Sequence, residues 1–272
     1  MNHAASTSLF ISADDGARIH VKKLNSAKDG PIPIILLHAL AMSEVMWHDL
    51  ALHIQGDIPV WGLDLRGHGL SDIVHGPFST ALFAKDIVNV LDHLGVEAAH
   101  LVGCSMGGTV AMAFASKYSD RLSSLGLIDT TACYGEGAKE SWEKRGLQGH
   151  LQGLSSLTRF QVERWFSEAF ALAHPDLVGK YLDIFVSNDR NVYLESCRML
   201  GAADERVGLS LYKGPCEVVV GEEDYATPPS MAQEIARILP QARLSMLEGV
   251  RHYSPIEAPQ RVVDLLSRLW KA

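Results

Sequence analysis

The sequence predicts an α/β protein with a mostly parallel central sheet, helices on both faces, and a helical cap inserted before the last strands. Three observations predict it. Short apolar runs recur that are too continuous for half-exposed strands, helical stripes lie between them, and one long stretch, from about Thr131 to Lys213, holds no convincing strand. Continuous runs suit parallel strands covered on both faces. Strands alternating with helices imply right-handed crossovers. The expected division is residues 1–130 and 214–272 for the core and 131–213 for the cap.

In chain order, Leu9–Ser12 and Arg18–Lys22 read as paired strands around an Asp15-Gly16 turn. The buried runs are Pro33–Leu37, Ile58–Leu63, His100–Gly103, Leu125–Ile128 and Glu217–Val220, with Arg243–Leu247 as an alternating strand. Phe83, Ile87, Val90, Leu91 and Leu94 make a helical stripe, closed by Gly95 at the position of a C-terminal cap. Thr109–Tyr118 is helix-like. Pro228 and Pro229 open a helix ending near Leu239, as proline does in a first turn, and Val262, Leu265, Leu266 and Leu269 form the last stripe. Within the cap, Leu151–Phe170 and Pro175–Phe185 read as helices.

Composition narrows the function. With Lys+Arg 24 against Asp+Glu 32, the 272-residue chain carries −8 and a pI near 5.8, against a nucleic-acid partner. Hydrophobic residues at 47% with 21% charged exclude a disordered chain. The longest apolar stretch, Pro33–Met42, is about half a membrane span. Met1–His20 has no continuous apolar h-region and contains Asp14, Asp15 and Arg18, so no secretory leader and no membrane association are expected. Cys104, Cys133, Cys197 and Cys216 are scattered without a CxxC pair, which points to reduced thiols in the cytoplasm.

The chemistry centres on Gly103-Cys104-Ser105-Met106-Gly107, directly after an apolar strand and directly before a helix. A serine on such a sharp strand-to-helix turn sits in strained backbone with its Oγ above the sheet. The helix N-terminus adds free N–H groups and partial positive charge beside a forming oxyanion. A serine nucleophile needs a base, and the base an orienting acid. Asp224 follows the strand ending at Val220, in Gly221-Glu222-Glu223-Asp224, on the carboxyl side of the sheet where open α/β folds bind ligands. Asp129, at the end of the preceding strand, is the other position for the acid. His252 lies between Arg243–Leu247 and the C-terminal helix, in the right place for the base. After Ile34–Leu37, the turn His38-Ala39-Leu40-Ala41 places the N–H of Leu40, with that of Met106, as oxyanion donors. Each such donor is worth about 3–4 kcal/mol of barrier in other enzymes. No HExxH spacing and no GxGxxG loop occurs, so neither metal nor organic cofactor is expected.

Taken together, His38-Ala39, Asp64–Ser71, Gly103–Gly108, Gly221–Asp224, and His252 with Glu257 and Pro259 resemble the α/β-hydrolase superfamily over essentially the whole chain. Within it, the chain is most similar to the 3-oxoadipate enol-lactonases. The residues that carry this likeness are Trp142-Glu143-Lys144-Arg145, Arg164-Trp165-Phe166 with Phe170, Tyr193 with Cys197, and Thr227-Pro228-Pro229. The resemblance implies cofactor-free hydrolysis of a small lactone or carboxylic ester by a monomer or small homo-oligomer. It further implies opening of an enol-lactone ring to a 3-oxo dicarboxylic acid. Asp64–Ser71 shapes a loop and is not read as catalytic.

A substrate carboxylate would need a cation: Arg145 first, then Arg164, with Arg251 beside the base as a third candidate. Trp142, Trp165 and Phe166 would wall the pocket or serve the core. The same triad serves C–C bond hydrolases of ring-cleavage diketones, general carboxylesterases and cofactor-free perhydrolases. A small-molecule receptor on the same fold is the non-enzyme alternative. The acid assignment is testable: Asp224→Asn is expected to lower kcat by roughly 10⁴, and steady-state kinetics of Asp129→Asn alongside it decides between the two carboxylates.

Overall fold

A computed structural model describes residues 7–30 and 32–271. The segment Met1–Ser6, part of the stretch read as lacking a leader, lies outside the described residues. Eight strands form one sheet: β1 (Ser8–Ser12), β2 (Arg18–Lys23), β3 (Ile34–Leu37), β4 (Val60–Leu63), β5 (Ala99–Cys104), β6 (Leu122–Ile128), β7 (Cys216–Gly221) and β8 (Arg243–Leu247). Their spatial order is β1-β2-β4-β3-β5-β6-β7-β8. The first two strands pair antiparallel, β2 joins β4 antiparallel, and every later pairing is parallel.

The apolar runs explain the layering. Every residue of β3, β4 and β7 is buried, as helices on both faces require. The amphipathic helix Thr80–His93 buries Phe83, Ile87, Val90 and Leu91, and Ser79 caps it by accepting from the Leu82 N–H. Pro229 opens the helix Pro229–Ile238 and Pro259 opens Pro259–Leu266, each in the first turn, where the missing N–H has no helical partner to lose.

The chain leaves β3 for β4 on one side and then crosses from β4 past β3 to β5 on the other. Leu37, at the end of β3, pairs with Gly103 near the end of β5. Loops leaving these two carboxyl ends diverge at the reversal of strand order, the place where open α/β sheets form their ligand crevice. Both carry predicted site residues: Leu40 after β3, and Ser105 after β5.

Between β6 and β7 the regular elements among the described residues are helices, joined by turns and loops, with one isolated bridge from Cys133 to Asp204. The long segment read as one helix, Leu151–Phe170, is not continuous. Gly153, at φ 86°, ends the helix Ala138–Gln152. A short turn Leu154–Leu157 and the helix Thr158–Trp165 follow, and Ser167 caps a further helix, Glu168–Ala173. Left-handed glycine and a serine cap are local stop signals that an apolar stripe alone conceals. The sequence reading also passed over Arg190–Ala202, which packs on Ala138–Gln152. Among the described residues no helix is long and apolar enough to cross a membrane.

Beneath the loops at the crevice lies a polar layer. His38 and His68 are fully buried with ring centroids 5.2 Å apart. The Leu65 N–H donates to Nε2 of His38 (2.9 Å), so the ring proton sits on Nδ1 and donates to the Ala39 carbonyl (2.7 Å). Burial pushes both imidazoles below their ordinary range, His68 to about 3, and burial lowers His100 to about 4. The unfolded chain therefore binds protons that the folded chain refuses. Stability contributed by these neutral rings is present above about pH 6.5 and lost as pH falls through the folded values. Urea midpoints are expected to drop steadily from pH 6.5 toward pH 4, and a midpoint constant across that window would contradict the burial assignment.

Candidate active site

Ser105 stands between β5 and the helix Met106–Lys117 at φ 51°, ψ −116°, a conformation that L side chains rarely adopt. Its surroundings hold it there. The Ser105 N–H donates to the Ile128 carbonyl (2.9 Å), and the Thr130 hydroxyl donates to the Ser105 carbonyl (2.7 Å). The flanking glycines are required by contact. A Cβ on Gly103 would lie 2.3 Å from the Gly107 carbonyl oxygen, and one on Gly107 would lie 2.2 Å from that of Leu37. Close approach of β5, the helix start and β3 is what turns the serine side chain outward.

His252 and Asp224 complete a hydrogen-bonded chain. Nε2 of His252 lies 2.9 Å from Ser105 Oγ, and Nδ1 lies 2.9 Å from Asp224 Oδ2. Asp224 is buried and accepts three more bonds: Ala226 N–H (2.7 Å) and Thr227 N–H (2.9 Å) at Oδ1, and the Thr227 hydroxyl (2.8 Å) at Oδ2. Burial alone would raise this carboxyl, but the attraction and hydrogen bond of His252 and the Thr227 bonds outweigh it, so the net shift is downward. An anionic Asp224 favours the His252 tautomer with Nε2 free to accept the Ser105 proton.

Asp129, the competing acid, makes different contacts. It accepts from Gly221 N–H (2.9 Å), Ser254 N–H (2.9 Å) and the Ser254 hydroxyl (3.0 Å). It therefore ties the end of β7 to the segment after His252. Burial, then repulsion from Asp224, drive its carboxyl well above the usual carboxylate range. Glu223 pairs with Arg251 at 3.5 Å.

At the end of β3, the left-handed residue of the turn is Ala41 (φ 57°). Leu40 borders the chamber around Ser105, and Met106, as first residue of its helix, has no intrahelical acceptor for its N–H. Among the described residues no protein acceptor takes either N–H.

Two spaces meet here. A small chamber of about 20 Å³ touches Ser105, His252, Leu40, Tyr253, Trp165 and Gln161. A basin of about 610 Å³ lies beyond it, reaching Lys144, Gln148, Leu157 and Phe160. Tyr134, Trp142, Arg145, Arg164 and Ala226 border both. The Arg145 guanidinium donates to the Tyr193 hydroxyl (2.9 Å) and to Gln161 Oε1 (3.2 Å) and lies over the Trp142 ring at 4.8 Å. Arg164 lies over Phe160 at 4.9 Å; burial and the neighbouring Arg145 charge lower its affinity for a proton. Among the described residues neither guanidinium has a carboxylate within ion-pair distance. Trp165 stacks on Tyr253 at 4.8 Å and borders the chamber. Phe166 and Arg251 line neither space; Phe166 packs in the core, and Arg251 Nη1 is engaged by the carbonyls of Glu163 and Phe166, which removes it as a substrate cation.

Residues 32–259 match the family model of the alpha/beta hydrolase fold. The chain belongs to that family. A 3-oxoadipate enol-lactonase of Acinetobacter baylyi is 28% identical over 227 residues, 84% of each chain. Among solved structures, the enol-lactonase from Burkholderia xenovorans superposes with a TM-score of 0.89 at 27% identity, covering 95% of this chain and 100% of that one. A thermophilic esterase from Thermogutta terrifontis, solved with malate bound, gives 0.87 at 26%, covering 98% of both.

For this α/β hydrolase, three chamber residues escaped the sequence reading: Gln161, Tyr134 and Ala226, the last of them two positions after Asp224. Gln161 lies three and four positions before Arg164 and Trp165, so helical spacing on Thr158–Trp165 would have found it. Tyr134 sits in an irregular loop and carried no such signal. The close contact at Gly107 generates a direct test. Gly107→Ala is expected to cost about 3 kcal/mol or more of stability by urea unfolding, because backbone, not a flexible side chain, opposes the added methyl.

Proposed function

We propose that this α/β hydrolase cleaves a small lactone or carboxylic ester bearing a carboxylate, through Ser105, His252 and Asp224 and an acyl-enzyme. The observation that carries the reading is the unbroken relay from Ser105 Oγ through both ring nitrogens of His252 to Asp224, at 2.9 Å for each step. In the first step Oγ attacks the substrate carbonyl as His252 takes its proton. The Leu40 and Met106 N–H groups hold the tetrahedral oxyanion. His252 then gives its proton to the departing enolate or alkoxide oxygen, leaving the acyl group on Ser105. Water, deprotonated by His252, attacks the ester; Ser105 regains the proton and the acid is released.

For an enol-lactone the leaving enol remains tethered to the acyl group, and its ketonisation gives a 3-oxo acid. The names of the relatives support that substrate class, and the paired arginines support its charge. Arg145 and Arg164 stand between chamber and basin without a carboxylate partner, in a chain whose net charge is −8. A substrate carboxylate bridging them would relieve their mutual repulsion. In this reading residues 131–213 act as a cap that supplies the substrate's surroundings, while the core of residues 1–130 and 214–272 supplies the chemistry. The four free cysteines, three of them buried, suit a cytoplasmic setting.

A panel of lactones, neutral esters and ring-cleavage diketones, run with wild type and Ser105→Ala, tests the reaction class. Turnover confined to the lactones and esters and abolished in Ser105→Ala is expected; diketone cleavage alone would overturn the ester assignment. Arg145→Ala is expected to raise KM for a carboxylate-bearing ester about tenfold or more, with little change for a neutral ester of similar size. Equal effects on both would remove the arginine's role in binding.

A further inference from the structure

Arg251 immediately precedes the base, and its contacts reach three separate parts of the molecule. Nη1 donates to the carbonyls of Glu163 and Phe166, each at 2.9 Å, fastening the end of the helix Thr158–Trp165 and the turn after it. The guanidinium also lies 5.0 Å over the Tyr225 ring, and Nε is 3.5 Å from Glu223 Oε2, an ion pair rather than an aligned hydrogen bond. Glu223 and Tyr225 are the two neighbours of Asp224. One side chain thus grips both flanks of the acid, the turn of the helical segment, and, through its own backbone, the base.

The other side of His252 is fastened to the same turn. The Tyr253 N–H donates to the Trp165 carbonyl (2.9 Å), and the Tyr253 ring stacks on the Trp165 ring at 4.8 Å and 16°. Glu257 closes the junction from below, accepting from the Arg251 N–H (3.2 Å) and from the Ser167 hydroxyl. His252 itself is held by the relay bonds and by these neighbours on either side. The Arg251 side chain is mostly buried (17% exposed), so water competes weakly for its bonds.

We propose that Arg251 is a positioning residue for the hydrolysis proposed above: its guanidinium locks the 163–166 turn against the acid and base loops and so fixes the His252 ring between Ser105 and Asp224. Displacement of a reacting group by about 1 Å can lower a rate on the order of 10²-fold. Lysine cannot substitute fully, because a point ammonium neither forks to two carbonyls nor stacks on a ring. The role depends on the Ser105 relay but not on any particular substrate.

The test uses two probes that do not need the arginine pair: p-nitrophenyl acetate, and a small fluorophosphonate that labels Ser105. Wild-type labelling at Ser105 is the first arm; its absence would overturn the relay itself, and with it this inference. Given labelling, Arg251→Ala is expected to lower kcat for the acetate roughly 30- to 100-fold with KM changed less than about threefold, and to slow labelling in proportion. Rates are taken per folded molecule, from circular dichroism. Labelling at the wild-type rate would overturn the positioning role while leaving the relay intact, since a purely structural arginine would change only melting temperature. Should Arg251→Ala fail to fold, Arg251→Lys is read by the same assays; a loss of about fivefold or more is expected, and no loss overturns the proposal.

Discussion

Three backbones converge where β5 ends, and their closeness is the constraint from which the site follows. Gly103 and Gly107 leave no room for a methyl group between β5, the first turn of the following helix and the end of β3. Ser105, trapped between them, takes a left-handed φ of 51° and projects its hydroxyl toward the crevice. Such strain persists only when its surroundings over-determine it. Here the Ile128 carbonyl, the Thr130 hydroxyl and the helix do so. The same contact sets the end of β3 against the start of the helix, so the loop carrying Leu40 and the N–H of Met106 arrive on one side of the serine.

Two buried carboxylates near this turn have different fates for a stated reason. Asp224 has an imidazole and a threonine that favour its charge; Asp129 has hydrogen bonds but no cation, and Asp224 repels it. The surroundings therefore favour negative charge on Asp224, the carboxylate that faces His252, over Asp129. Asp129 acts by geometry, joining Gly221 to Ser254 and so the acid strand to the segment behind His252. A group that looks like a rival acid in one dimension is a brace in three.

The helical segment between β6 and β7 touches the relay loops at more than one point. Asn188 donates to the carbonyl of Ala41, on the turn that carries Leu40 (2.9 Å), while the 163–166 turn is tied to the loops of His252 and Asp224. Cavity walls and relay geometry are thus mechanically connected. Arg145 and Arg164 sit where the small chamber opens into the larger basin, stacked on aromatic faces that disperse but do not neutralise their charge. A chain that is acidic overall presents two cations beside the chamber that holds Ser105.

The sequence by itself determined the sheet and the order of its parallel strands along the chain, and it singled out Ser105 and His252, which the structure brings within hydrogen-bond distance. Those are properties of short windows: continuous apolar runs, glycines at fixed offsets, a loop after a strand. It left open which of Asp129 and Asp224 meets the imidazole, since both end parallel strands and differ only in where their loops turn. Helix limits between Leu151 and Phe170 were hidden because an apolar stripe does not register a left-handed glycine or a serine cap. Arg251 read as a cation beside the base, available to substrate, and only packing showed its guanidinium engaged by carbonyls distant in sequence. Contacts between residues far apart in the chain carry no periodic signal, so the tertiary structure alone decided them.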